Sequence, residues 1–113
     1  MKYSHGNELT AGTDNTIITV PAGFDLIVTY LYIKNKGSGS KDINATWNHN
    51  GSSTEFIKGK GLNSKEVLTF GGEAGAFLVM KEGDTLVLTP EANSEFVSIL
   101  SFELLPATPR MHF

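Results

Sequence analysis

The stretch "FDLIVTYLYIKNK", residues 24–36, reads as one long β-strand with an apolar side chain at most of its positions. A strand turns successive side chains to opposite faces, so residues two apart share a face. One face here carries Leu26, Val28, Tyr30 and Tyr32, and the other carries Ile27, Leu31 and Ile33. A strand packed on one side of a core needs a single apolar face. What covers the second face is the main functional question this chain raises.

"FVSILSFELL", residues 96–105, repeats the pattern. Phe96, Leu100, Phe102 and Leu104 fall on one side, and Val97, Ile99 and Leu105 on the other, with Ser101 and Glu103 between them. The larger stripes are expected to face the core: Ile27, Leu31 and Ile33, then Phe96, Leu100, Phe102 and Leu104, joined by Trp47, Phe70 and Leu86 or Val87. That leaves Leu26, Val28, Tyr30, Tyr32, Val97 and Ile99 facing outward. Two readings of this patch are open. Local arms and loops can cover it, since much of any protein surface is apolar. Alternatively a partner covers it, and paired tyrosines suit that role because they bring large area with a polar tip.

Outward from these two strands the chain is punctuated by turns. "NTIITV" at 15–20 precedes a Val20-Pro21-Ala22-Gly23 turn, with Pro21 expected at the second position and Gly23 at the fourth. "DINATWNHN" at 42–50 alternates, placing Ile43, Ala45, Trp47 and His49 on one face. Asn50-Gly51 is a strong type I′ hairpin signal leading to "TEFIK" at 54–58. "EVLTF" at 66–70, "AFLVM" at 76–80 and "TLVLT" at 85–89 complete the set. No window carries a helical period. About eight short strands joined by Gly, Asn and Pro turns predict one all-β domain, an antiparallel β-sandwich of the eight-stranded jelly-roll kind. Residues 1–14 read as a flexible arm, 15–105 as the sandwich and 106–113 as a tail in which Pro106 and Pro109 exclude a central strand. Tyr3, Leu9, Met111 and Phe113 are the candidate anchors by which arm and tail would clamp a neighbour.

Composition narrows function further. With 113 residues the chain has room for one domain, and with no cysteine it has no disulfides or thiolate chemistry. A net charge of −3 with Arg110 as the sole arginine argues against nucleic-acid binding. No apolar run approaches a membrane span, and the N-terminal residues lack the apolar segment of a signal peptide. The sequons at Asn44 and Asn50 are therefore read as incidental, and synthesis in the cytoplasm is expected.

Catalytic chemistry is sparse. His5, His49 and His112 show no metal-ligand spacing, and no nucleophile elbow or Walker loop occurs. "GSGSK" at 37–41 lacks the spacing of a phosphate loop and reads as a plain connection. Glu82 and Asp84 around Gly83 could hold a cation, but such a pair reads first as a solvated turn. Lys34, Lys36 and Lys41, and Lys58, Lys60 and Lys65, read as solubilising charge or as contacts to an acidic partner. Trp47 could stack on a sugar, but its place beside Ile43 and Ala45 favours the core. No enzymatic activity, cofactor or metal is expected.

"TIITVPAGFDLIVTYLYIKNKGSG", with "LVMKEGDTLVL" and "FVSILSFELL", resembles the small β-sandwich virion proteins of tailed bacteriophages over roughly residues 15–105. The matching features are the Val20–Gly23 turn, the strand ending at Asn35 and the Glu82-Gly83-Asp84 turn, all of which are fold determinants. The resemblance implies a structural virion protein that decorates or cements the capsid shell, commonly as a homotrimer, with the major capsid protein or another virion protein as partner. It implies localisation in the virion. The alternative is a glycan- or receptor-binding module of a tail fibre or neck, using Tyr30, Tyr32 and the loop Asn48–Asn50. A cupin-like enzyme is a third reading, and the histidine pattern of its metal site is missing.

Overall fold

The computed structural model describes residues 2–71 and 78–107. Within them the chain is all β: β1 (Lys2–Glu8), β2 (Asn15–Thr19), β3 (Phe24–Asn35), β4 (Lys41–His49), β5 (Ser52–Leu62), β6 (Val67–Gly71), β7 (Leu78–Met80), β8 (Thr85–Pro90) and β9 (Phe96–Pro106). Two antiparallel sheets pack face to face. Sheet A has the order β1-β9-β3-β6, with β7 also paired to β3, and sheet B has the order β2-β8-β4-β5. Because β9 lines one edge of β3 along its whole length, β6 and β7 share the other, pairing with residues 30–34 and 26–28. The nine strands thus occupy eight positions. Among the described residues only β4 and β5 form a hairpin, and its Asn50 and Gly51 have φ of 48° and 80°, the positive pair a type I′ turn requires.

The two apolar faces of residues 24–36 are resolved by a β-bulge. Val28 lies opposite Phe102 and Tyr30 opposite Ser101, so Thr29 is one extra residue on β3. Its hydroxyl donates to the Ser101 carbonyl at 3.1 Å. The extra residue reverses the alternation. Leu26 and Val28 face the core before the bulge, and Leu31, Ile33 and Asn35 face it afterwards, all fully buried. Leu26 and Val28, expected on an outer patch, are therefore core residues. Ile27, expected in the core, is half-buried and lies on the outer face opposite Glu103 and Val79. On β9 the alternation is regular, and Phe96, Leu100 and Phe102 enter the core as expected, with Leu104 packed at its margin. Leu86 lies in the core cluster, with Trp47 and Phe70 packed against it. Val87 is buried but lies on the other side of β8, opposite Thr16 and Thr46.

The N-terminal segment is not an arm. Lys2–Glu8 forms an edge strand in register with β9 from Glu103 to Val97. Leu9 then enters the protein's own core, and its N–H donates to the Phe96 carbonyl at 3.0 Å. The Asn15 side chain closes the following turn by accepting from Thr10 N–H and donating to the carbonyls of Thr10 and Thr13. Tyr3 stacks on Phe102 with ring centroids 5.4 Å apart. Tyr3 and Leu9 thus anchor β1 to its own sandwich, whereas Met111 and Phe113 lie outside the described residues. An edge strand takes its order from a ladder of backbone bonds, which leaves little apolar pattern in the sequence.

The loops at the two ends are held by buried polar side chains. At one end Asn35 donates to the carbonyls of Gly39 at 3.0 Å and Leu62 at 2.9 Å, and accepts from Gly37 N–H at 3.1 Å. One amide thereby ties the β3–β4 loop to the end of β5. At the other end two turns dock together. Phe24 N–H donates to the Pro21 carbonyl and Asp84 N–H to the Lys81 carbonyl, with Gly23 and Gly83 at φ of 84° and 83°. Positive φ at the third position is the type II pattern, so the first turn runs Pro21–Phe24, one residue later than the sequence reading placed it. Gly83 N–H and Val20 N–H bond the carbonyls of Val20 and Asp84, joining the two turns.

Candidate interaction face

Residues directly opposite one another in a sheet share a face, so the register defines the outer surface of sheet A row by row. Ile27 lies between Glu103 and Val79, Tyr30 between Ser101 and Gly71, Tyr32 between Ile99 and Thr69, and Lys34 between Val97 and Val67. Leu105 extends the face beside Asp25. Val67, Val79, Ile99 and Leu105 are each at least 40% exposed, and they make up four of the six large hydrophobic residues exposed among those described. That concentration makes this the apolar outer surface of the molecule.

Four of the six residues expected at an interface are on it. Tyr30, Tyr32 and Val97 are half-buried there and Ile99 is exposed, whereas Leu26 and Val28 are on the core side. Sequence reasoning missed Val67 and Val79, sent Ile27 to the core, and put Leu105 on this side of the last strand without naming it in the patch. Val79 carried a usable signal: a continuous apolar run such as residues 76–80 must present alternate residues to the outside unless both faces are covered. Polar groups frame the face. Glu8 pairs with Lys36 at 3.1 Å, and Lys81 pairs with the buried Asp25 at 3.0 Å. A recess of about 510 Å³ at the bulge is lined by residues that include Lys2, Ser4, Thr29, Ser101 and Glu103.

The residues singled out for chemistry occupy other places. Asp84 is buried, and its Oδ2 accepts from Lys81 N–H at 2.9 Å and Trp47 Nε1–H at 3.3 Å. Glu82 accepts from Gly23 N–H at 2.8 Å. Both carboxylates therefore brace the docked turns. The Trp47 ring packs on His49 with centroids 4.0 Å apart, and His49 Nε2 bonds the Thr54 hydroxyl at 2.7 Å. His5 is exposed on β1, and His112 lies outside the described residues. Among the described residues no group of three or more His, Asp or Glu side chains is placed to hold a metal ion. Tyr30 and Tyr32 belong to sheet A and Asn48–Asn50 to the hairpin of sheet B, so the residues named for a glycan do not share a sheet. A separate groove of about 380 Å³ lies where β5 meets β6, lined by Phe56, Phe70, Lys58 and Lys60 among others. No known protein-family model matches the chain, and no curated protein matches it.

Proposed function

We propose that the protein is a non-enzymatic structural virion protein that decorates or cements a phage shell, associating through the outer face of sheet A. The observation that carries the reading is the apolar surface formed by Ile27, Tyr30, Tyr32, Val67, Val79, Val97, Ile99 and Leu105 on a domain whose other outer face is polar. The strand order β1-β9-β3-β6 over β2-β8-β4-β5 supports the finer reading of the sandwich as a jelly roll. The mechanism is mechanical. A sheet presents aromatic and aliphatic side chains on a backbone whose ordering cost was met on folding, so the conformational entropy still lost when a shell subunit or a second copy covers them is that of the side chains alone.

Co-sedimentation with isolated phage shells tests the proposal. The wild-type chain is expected to pellet with shells and to raise the temperature at which they come apart. The variant Tyr30→Lys/Tyr32→Lys is expected to stay in the supernatant while keeping its circular dichroism and melting temperature. A wild-type chain that does not pellet with shells, or a double variant that pellets as well as wild type, overturns it.

A further inference from the structure

The β1 edge of sheet A differs from both edges of sheet B. β5, at one edge of sheet B, carries Glu55, Lys58 and Lys60 and is interrupted by register shifts around Ala45, with Gly59 at a φ of 58°. β2, at the other, has a register shift between Thr16 and Ile18. Charges and bulges of this kind keep edges from pairing with other chains. β1 has neither device in its interior. It is regular over seven residues, its only charges are Lys2 and Glu8 at its ends, and among the described residues no strand pairs with its outer side.

The direction of its backbone groups follows from one bond. Leu9 N–H points to the Phe96 carbonyl on β9, and the ladder continues without a shift, so the odd residues of β1 bond to β9. Lys2, Ser4, Gly6 and Glu8 therefore direct N–H and C=O groups outward. Two antiparallel copies related by a two-fold axis at His5 place Lys2 opposite Glu8, Tyr3 opposite Asn7 and Ser4 opposite Gly6. In that register the outward groups meet as hydrogen-bonded pairs, all seven residues are used, and each copy contributes one Lys2–Glu8 contact on the outer face. Sliding the copies by two residues loses both charge pairs. The symmetric arrangement also extends an existing sequence of charges, because Lys36 already pairs with Glu8 and Glu103 lies opposite Lys2.

We infer that β1 is a self-complementary edge that pairs with β1 of a second copy, joining two A sheets into one continuous eight-position sheet. The pairing is isologous and closes at two subunits. It sets the two apolar outer faces side by side on one surface. The inference rests on the edge alone and stands apart from the shell-binding reading.

A charge-swap series by analytical ultracentrifugation, with circular dichroism as a check of folding, tests it. The wild-type chain is expected to dimerise, and Lys2→Glu or Glu8→Lys to weaken the dimer by about tenfold or more, since each places like charges opposite one another twice. The double variant Lys2→Glu/Glu8→Lys is expected to return to within about threefold of wild type. Its contacts with Lys36 and Glu103 are the same in monomer and dimer and cancel. A wild-type chain that stays monomeric at about 1 mM overturns the inference. So does a self-association unaffected by the single charge reversals, or a double variant no tighter than either single one. Shell co-sedimentation of folded Lys2→Glu separates the two proposals, because Lys2 lies at the rim of the outer face and the apolar residues named for shell binding are unchanged.

Discussion

Across the outer face of sheet A, Tyr32 stands between Ile99 and Thr69, and Ile27 between Glu103 and Val79. Across that of sheet B, Thr46 stands between Val87 and Glu55, and Asn48 between Thr85 and Ser53. The second face is knitted by its own side chains. Asn48 donates to the Thr85 hydroxyl at 3.0 Å and accepts from Ser53 at 2.6 Å, Thr89 donates to Asp14 at 2.6 Å, and Asn44 accepts from Gly59 N–H. Polar groups of this kind can be satisfied by neighbours and water at once. The apolar side chains of sheet A gain nothing comparable from water. They gain free energy when covered, at about 25 cal/mol per Å². The same sandwich therefore has one outer face whose polar groups are satisfied among themselves and one whose apolar groups would gain from being covered.

The largest expected effects test which residues belong to the apolar face at all. Leu26→Ala and Leu31→Ala, on either side of the bulge, are each expected to destabilise the fold by about 2–5 kcal/mol. Ile27→Ala is expected to lower it by about 1 kcal/mol or less. Urea denaturation measures all three. Deleting Thr29 is a sharper version. It leaves Val28 opposite Phe102 and Tyr30 opposite Ser101 in a regular ladder, so the chain is expected to fold with a loss within about 2 kcal/mol. An Ile27→Ala variant as unstable as Leu26→Ala would refute the assignment of the two faces.

The bulge also marks the limit of what the sequence could disclose. All-β class, the Asn50-Gly51 hairpin and the core stripe of β9 follow from local chemistry: positive-φ turn residues and a period of two. The stripe on residues 24–36 was legible only as a contradiction, because a one-residue bulge has no compositional mark when Thr29 is also a good strand residue. Extending one parity through it sent Leu26 and Val28 to the surface and Ile27 to the core. β1 was unreadable for a different reason. "KYSHGNE" has no apolar alternation, and its order comes from pairing with a strand about ninety residues away, which no local window contains. Tyr30, Tyr32, Val97 and Ile99 were found because they lie beyond the bulge or on the regular strand.

Asp84 gives the next effect in size and concerns how sheet B is held. Replacing it with Ala leaves the Lys81 N–H and the Trp47 indole N–H without that acceptor in a buried site. A loss of about 2–4 kcal/mol is expected, read by thermal melting, with Trp47 fluorescence shifted at the same time. Asp84→Asn, which keeps one acceptor oxygen, is expected to recover part of it. A loss below about 0.5 kcal/mol would show that the docked turns do not depend on this carboxylate.

The smallest effects on folding decide the comparison itself, and they come from making one replacement on each face. Tyr32→Lys and Thr46→Lys both put a long cation at the centre of an outer face and leave the core untouched. Each is expected to change folding stability by no more than about 1 kcal/mol. On sheet B the new ammonium falls opposite Glu55 and its stem lies over Val87, so shell association is expected to be unchanged. On sheet A the cation replaces an aromatic ring between Ile99 and Thr69, where a covered face leaves it desolvated and unpaired, and association is expected to fall about 30-fold or more. Equal losses for the two variants would mean that the partner reads charge in general, and the chemical difference between the faces would then have no role in binding. A loss confined to Thr46→Lys would reverse the assignment and make the hydrogen-bonded face of sheet B the one that meets a partner.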